Sequence, residues 1–335
     1  MNVIAYRVPD SERIIWQVEK DSCGFTDGKE GFLISAFSDS GCPHFYRPMN
    51  SLTSIPKNTI EENFRDFSFK ILDFQAYSDY IAFIKKTLDG DMGSKIVASR
   101  REPTMVEVSV DRLFSTLCEE YPDALVFYIS TSDFGTWIGA SPEVLLEREG
   151  DTLSAMSLAG TRPAGTSGEW DRKNLFEQQI VTDFIVSVFE HNGIPSHTLP
   201  RRTLKTGRIE HILTLVEGVL PSSLPSYNKL ERVYNLLTDL SPTPALSGFP
   251  RQTAMEVIEQ FEGNRALYGG FCGPVTSCGD FRLNVILRCA CLISDSRAIL
   301  FAGGGVTALS EANEEWKETE RKINNLRCFF ADGDS

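Results

Sequence analysis

Five short apolar runs between Lys95 and Gly160 constrain this chain more than any other feature: KIVASR, DALVFYIS, TWIGA, VLLERE and DTLSAMSLAG. Their β-branched and aromatic side chains favour extended backbone. The Glu149-Gly150-Asp151 break between the last two reads as a hairpin connection. From Asp171 the apolar period becomes that of a long helix, which the His191-Asn192-Gly193 stop ends. Strand and helix patterns then alternate to the C-terminus, where Ser310 reads as the N-cap of a last helix. The first ninety residues hold β-like runs (Val3 to Tyr6, Phe32 to Phe37), the turn-rich join DSGCPHFYRP and helical periodicity from Ser78 to Leu88. Hairpins broken by long helices predict an α+β fold, with layered antiparallel β-sheets inside and helices packed outside. No repeat or Pro/Gly/Ser-rich linker divides the chain, so residues 1–335 are expected to form a single domain.

A formal net charge of −13 argues against a nucleic-acid surface, because phosphate binding needs a basic face. An anionic small molecule would need a local arginine, lysine, backbone N–H or metal. The cysteines (Cys23, Cys42, Cys118, Cys272, Cys278, Cys289, Cys291, Cys328) form no C-x-x-C pair, which speaks against structural zinc. MNVIAYRVPDSER lacks the charged and apolar regions of a signal peptide, and no apolar run is long enough to span a membrane. A cytoplasmic protein with reduced thiols is expected.

The chemistry concentrates between Ser241 and Lys322. SPTPALSGFPRQTA places three prolines and a glycine in a turn leading into a helix, followed by RALYGG, RLNVILRC, AGGGV and EANEEWKETERK. On the last helix Trp316, Thr319, Ile323, Leu326 and Phe330 share a stripe, flanked by Glu311, Glu315, Glu318 and Lys322. These acids form either a solvated face or a metal site. On the earlier helix Glu177 falls within a stripe of Phe176, Ile180, Val181, Phe184 and Val188. A carboxylate there needs a buried ion pair or a metal; with Glu318 it would make a hard-oxygen Mg site.

Lys95 lies on the side of its strand that carries Val97, either snorkelling at an edge or desolvated into a base. Glu143 follows Ser141-Pro142 as either its matching acid or a strand-edge charge. Arg288 shares a strand face with Arg282 and Asn284 and can clamp a carboxylate if it is not solvent-facing. Tyr268 is followed by glycines that permit close approach of a ligand. Gly303-Gly304-Gly305 follows a strand and offers backbone N–H groups to an anion. His211 reads as a core histidine.

Taken in order, KIVASR, GASPEVLL, SLAGTRPAG, EHILTLVEG, PTPALSGFPRQTA, RALYGGFCG, VILRCA, FAGGGV and EWKETERK resemble the chorismate-utilising enzymes, most closely the isochorismate synthases. The resemblance covers residues 95–330; residues 1–94 are less recognisable. It implies Mg-dependent addition of water at ring carbon 2 of chorismate with loss of the 4-hydroxyl. The isochorismate formed would feed menaquinone, siderophore or salicylate biosynthesis. Lys95 would be the general base, Glu143 the general acid, and His211 would sit near the reacting face. Glu177 and Glu318, with Glu315 as a third candidate, would hold Mg. Tyr268 and Arg288 would grip the pyruvyl carboxylate, supported by Gly303, Gly304, Gly305 and Lys322. Gly160 and Thr161 would line the ring, and Ala245 and Leu246 would select water as nucleophile. The resemblance also implies a monomer with no glutaminase partner and no membrane. A salicylate synthase releasing pyruvate is the enzymatic alternative, and a non-catalytic chorismate-binding subunit the other. Four positions depart from the family pattern: Asn174 stands in place of an acid, Gln178 and Ser241 in place of histidine, and Gly304 in place of alanine.

Overall fold

The computed structural model describes residues 1–23, 28–38, 43–89, 94–206 and 209–331; Cys42 and the DSGC part of the 39–48 join lie outside them. Antiparallel pairing can be followed through one continuous ladder. It begins with β13 (Gly248–Phe249), β5 (Lys95–Met105), β17 (Arg297–Val306) and β16 (Cys289–Ser294). It continues through β7 (Gly135–Ser141), β6 (Leu125–Thr131), β1 (Asn2–Arg7) and β2 (Ile14–Cys23). Next come β4 (His44–Ser51), β3 (Gly31–Ser35), β14 (Phe271–Val275) and β15 (Phe281–Val285). The far end is β8 (Val144–Glu149), β9 (Thr152–Pro163) and β12 (Ile209–Val219), flanked by β10 (Ser196–Thr198) and β11 (Arg202–Thr206). The β8–β9 turn is the expected hairpin, with Gly150 at φ 60°.

Strand alternation sorts side chains between layers. Ile4 and Tyr6 of β1, and Leu125, Phe127 and Ile129 of β6, join Phe32, Ile34 and Tyr46 in a core shared by both halves of the ladder. Val3, Ala5, Val126 and Tyr128 point the other way, under α3 (Val110–Glu120) and the end of α7 (Ala312–Arg327). A third core gathers α2 (Phe74–Leu88), α4 (Arg172–His191), α5 (Ser226–Leu240) and α6 (Arg251–Glu262) on β8, β9, β12 and β15; α1 (Thr59–Glu62) is a single turn. Burying alternate residues on both faces of a strand requires layers on both sides. The result is the expected α+β arrangement, with sheets inside and helices outside.

Several local expectations are corrected. α2 starts at Phe74 because the Asp73 side chain caps Ala76 N, and α3 was not anticipated. The buried face of α4 runs through Gln178, Val181, Thr182, Ile185, Val188 and Phe189, leaving Phe176 exposed and Glu177 at the flank rather than mid-stripe. α7 is N-capped by Glu311, which pairs with Lys85; the Ser310 hydroxyl instead accepts from Thr307 N. The strand read through RLNVILRC stops at Val285.

One buried ion network ties the layers. The Glu262 carboxylate at the end of α6 accepts from Arg265 Nε at 2.8 Å, Arg265 Nη2 at 2.6 Å, Ser99 N at 2.8 Å and Tyr80 Oη at 3.0 Å. Arg101 adds a second buried guanidinium 3.9 Å away. Burial raises the Glu262 pKa, but Arg265 and Arg101 outweigh it and hold the carboxyl below its ordinary value. Removing one partner of such a network strands a buried charge. Glu262→Gln should therefore lower unfolding stability by about 3–5 kcal/mol, read from urea melts at pH 7; a loss under about 1 kcal/mol would make the network dispensable.

Candidate active site

Where β5 leaves β13, the chain borders a cavity of about 660 Å³. It brings together every residue to which the resemblance gives a role except Glu315, which lies buried directly behind Gly304. Lys95 is the first residue of β5, and its backbone is pinned by Phe249. Gly248 makes this contact possible: at φ 129°, a Cβ there would stand 2.3 Å from the Lys95 carbonyl oxygen. The Lys95 side chain is buried, not snorkelling. Burial lowers its pKa, against the opposing pull of Glu177 and Glu143.

Glu143 sits between β7 and β8, its carbonyl accepting from Val285 N at 3.0 Å. Burial pushes its carboxyl up to about 8, even with Lys95 and Arg288 acting in the opposite direction. It is therefore protonated at neutral pH. The cavity thus pairs a lysine prone to lose its proton with a carboxyl that keeps one, each opposite to its behaviour in water.

Arg288 reaches the cavity because β15 ends at Val285 and Arg288 adopts φ 45°, out of strand alternation with Arg282 and Asn284. Arg282 pairs outward with Glu147, whereas Asn284 is buried against the Ser141 carbonyl. His211 Nδ1 lies 3.0 Å from Gly160 O and 3.3 Å from Thr161 Oγ1. A nitrogen facing a carbonyl must carry the proton, so Nε2 presents its lone pair to Arg288 Nη2, 3.5 Å away. Burial, then the Arg288 charge, lowers the His211 pKa to about 4. Gly160 is the extra residue of a bulge opposite His211 and Ile212, at φ 73°. Thr161 N donates to Asn174 Oδ1, fixing β9 to the first turn of α4.

On the other flank Tyr268, stacked on Phe301, points its hydroxyl at Gly303. Leu246 is held by its own turn to Thr243 O and by Arg265, which donates to its carbonyl at 2.8 Å; Ala245 lines the wall beside it. Gly303, Gly304 and Gly305 are not an anion-binding loop: they lie within β17, in register with Ser99, Ala98 and Val97. What they contribute is space. A Cβ on Gly304 would meet Glu315 Oε2 at 3.1 Å and Glu318 Oε1 at 3.6 Å, and one on Gly305 would meet Glu177 Oε2 at 3.3 Å.

Three carboxylates from α4 and α7 thus converge on this glycine strand. Lys322 Nζ ties Glu318 Oε1 and Gly303 O at 2.8 Å each, and it heads the causes that lower the Glu318 pKa. Glu315 is driven upward by burial, with Glu318 and Glu177 adding to the rise, and its Oε2 is buried without a hydrogen-bond partner. Hard oxygens, excess negative charge and an orphaned acceptor suit a Mg ion. Among the described residues no three such groups already close into a coordination shell. Lys173, which the sequence reading passed over, stands 3.7 Å from both Glu177 and Glu315. Its four-residue spacing from Glu177 was the available signal. Tyr121 and Phe329, packed edge to face on another part of the cavity wall, were missed for want of any local pattern.

Fold and cavity together gather buried acidic and basic side chains around one cavity of small-molecule size. Residues 47–329 match the family model described as chorismate binding enzyme. The isochorismate synthase EntC of Escherichia coli K12 is 32% identical over 250 residues, 70% of this chain and 62% of that protein. The isochorismate synthase MenF of Bacillus subtilis is 32% identical over 65% of this chain and 47% of that protein. Anthranilate synthase component 1 of Neisseria gonorrhoeae is 31% identical over 63% and 44%. The chain thus spans less than two thirds of the length of these curated relatives. Among solved structures, the menaquinone-specific isochorismate synthase MenF of Escherichia coli superposes with a TM-score of 0.78 at 19% identity, covering 99% of this chain and 89% of that one. The structure described as a 2,3-dihydroxybenzoate-specific isochorismate synthase, DhbC of Bacillus anthracis, gives 0.77 at 20% over 98% and 96%. The chain belongs to the chorismate-binding enzyme family.

The tautomer assignment is testable. Long-range ¹H–¹⁵N spectra should show His211 neutral with the proton on Nδ1 from pH 8 down to 6, titrating near 4; an imidazolium signal at pH 7 would refute the assignment.

Proposed function

We propose that the chain is an isochorismate synthase, a Mg-dependent isomerase that adds water at ring carbon 2 of chorismate and expels the 4-hydroxyl. The observation that carries this reading is the inverted pair in one cavity, a buried lysine with a lowered pKa and a glutamic acid with a pKa of about 8. Water is a poor nucleophile until a base removes its proton, whereas neutral ammonia is nucleophilic enough to attack without one. A desolvated Lys95 therefore favours water over the amine chemistry of an ammonia-using relative.

In the forward direction neutral Lys95 takes a proton from water as its oxygen bonds to carbon 2. The ring double bonds shift, the carbon 4–oxygen bond breaks, and Glu143 gives its proton to the departing hydroxyl. One water enters and one leaves, so the reaction is an isomerisation, and the two groups exchange roles in reverse. Arg288 and Tyr268 would hold the pyruvyl carboxylate, with Lys322 and the Gly303 to Gly305 strand beside it. Neutral His211 would orient Arg288 and accept rather than donate. Gly160 and Thr161 would line the ring, and Ala245 and Leu246 would shape the water side. Glu177 and Glu318, with Glu315 behind them, would hold Mg, which when bound supplies positive charge to the ring carboxylate.

Residues 1–335 would act as one domain. Its N-terminal strands β1 and β3 are hydrogen-bonded to β6 and β14 from the later chain, which supports that reading. We propose further that it works in the cytoplasm as a monomer, without a glutaminase partner. No helix among the described residues is long and apolar enough to cross a membrane.

Purified protein with chorismate and Mg should give isochorismate at a mixture reached from either side, abolished by EDTA, on liquid chromatography. Salicylate plus pyruvate would move the assignment to a salicylate synthase, and no conversion even with ammonia would overturn it. Lys95→Ala and Glu143→Gln should each lower kcat by about 10²–10⁴-fold while chorismate still binds. The acid must be protonated to work, so kcat/KM should fall as pH rises through about 8. The base must be neutral, so activity should also fall toward acid as Lys95 takes up its proton.

A further inference from the structure

Lys173 is left unused by the reaction above. It sits on the first turn of α4, with its ammonium 3.7 Å from Glu177 Oε1 and 3.7 Å from Glu315 Oε1. The two lysines of this region differ. Lys322 is locked by two 2.8 Å bonds, to Glu318 and to the Gly303 carbonyl. Lys173 makes only long, weak pairs, and its side chain is 43% exposed, whereas Glu177 and Glu315 are 12% and 5% exposed. If one partner of these pairs is to move, it is the lysine. The unpartnered Glu315 Oε2 shows that the lysine leaves the acidic group under-compensated.

We infer that Lys173 is a built-in counter-ion, a placeholder that screens Glu177 and Glu315 until a divalent cation displaces it. This inference rests on the metal reading given under Proposed function. Both cations draw on the same acidic group, Glu177 directly and Glu315 behind it, so Lys173 weakens Mg binding in the protein without substrate. It also spares the acidic group self-repulsion when no metal is present. A substrate bringing its own negative charge would then tip the exchange toward metal, which makes metal loading depend on substrate. The acids are placed by two helices and a glycine strand and stay where they are; only a surface side chain must swing out.

Titration calorimetry with MgCl₂ alone tests this on the wild type, Lys173→Met and Lys173→Arg. Releasing two partly exposed ion pairs should tighten Mg binding by Lys173→Met roughly tenfold, while Lys173→Arg stays within about threefold of wild type. In EDTA the Met variant should melt below wild type, and it should gain more in Tm on adding Mg. Equal or weaker Mg binding by Lys173→Met would overturn the placeholder role and leave the metal site standing. No Mg binding by any of the three proteins, with or without chorismate, would overturn the metal reading and this inference with it.

Discussion

Everything the cavity does depends on the buried Glu262–Arg265 pair. Arg265 carries two bonds to Glu262 and gives two further donors to the carbonyls of Leu246, at 2.8 Å, and Val97, at 2.7 Å. One side chain thereby fixes the strand that begins with Lys95, the turn that presents Ala245 and Leu246, and the segment that leads into Tyr268. Glu262 in turn clamps Ser99 of the same strand. A buried ion network is seldom a net source of stability, because desolvation offsets attraction. Here its use is geometric: full hydrogen bonding in a dry interior permits one arrangement of three cavity walls.

Rigid walls matter because the shifted proton affinities in the cavity come from desolvation. Lys95 and Glu143 depart from their ordinary proton affinities for one shared reason, loss of water, and each partly offsets the shift of the other. A looser cavity would admit water, and the proton affinities of both groups would return toward their ordinary values. His211 follows the same logic: burial and a neighbouring guanidinium keep it neutral, so it can accept from Arg288 without competing for protons.

Much of this was legible in the sequence because strand residues near chain reversals leave local signatures. KIVASR, the Glu149 to Asp151 hairpin and the Asp171 and Gly193 ends of α4 appear as read. The misreadings have physical causes. The apolar stripe drawn on α4 fails because its buried face includes Gln178 and Thr182, with Gln178 Nε2 within hydrogen-bond distance of the Thr182, Ser157 and Thr214 hydroxyls. Hydrophobicity cannot register polar residues buried with their partners, so Phe176 was taken inward when it faces solvent. The strand face read for Arg288 fails because a positive φ breaks alternation without any glycine to announce it. The Glu262–Arg265–Arg101 network was invisible for a related reason: Arg101 and Glu262 are far apart in sequence.

The glycine strand shows how a correct residue can be chosen for the wrong reason. Gly303 to Gly305 were expected to offer N–H groups from a loop, yet they lie within β17 in register with β5. Their use is the volume they leave empty, which lets Tyr268, Glu315, Glu318 and Glu177 approach the strand. Gly304 in particular leaves open the space in front of Glu315 Oε2, a fully buried acid oxygen without a hydrogen bond. Where the family pattern has alanine, a methyl group would press on that oxygen at 3.1 Å. Glycine at this position therefore gives the acidic group slack, and Lys173 can lie between Glu177 and Glu315 without forcing them apart. The same slack suits the proposed exchange of one cation for another.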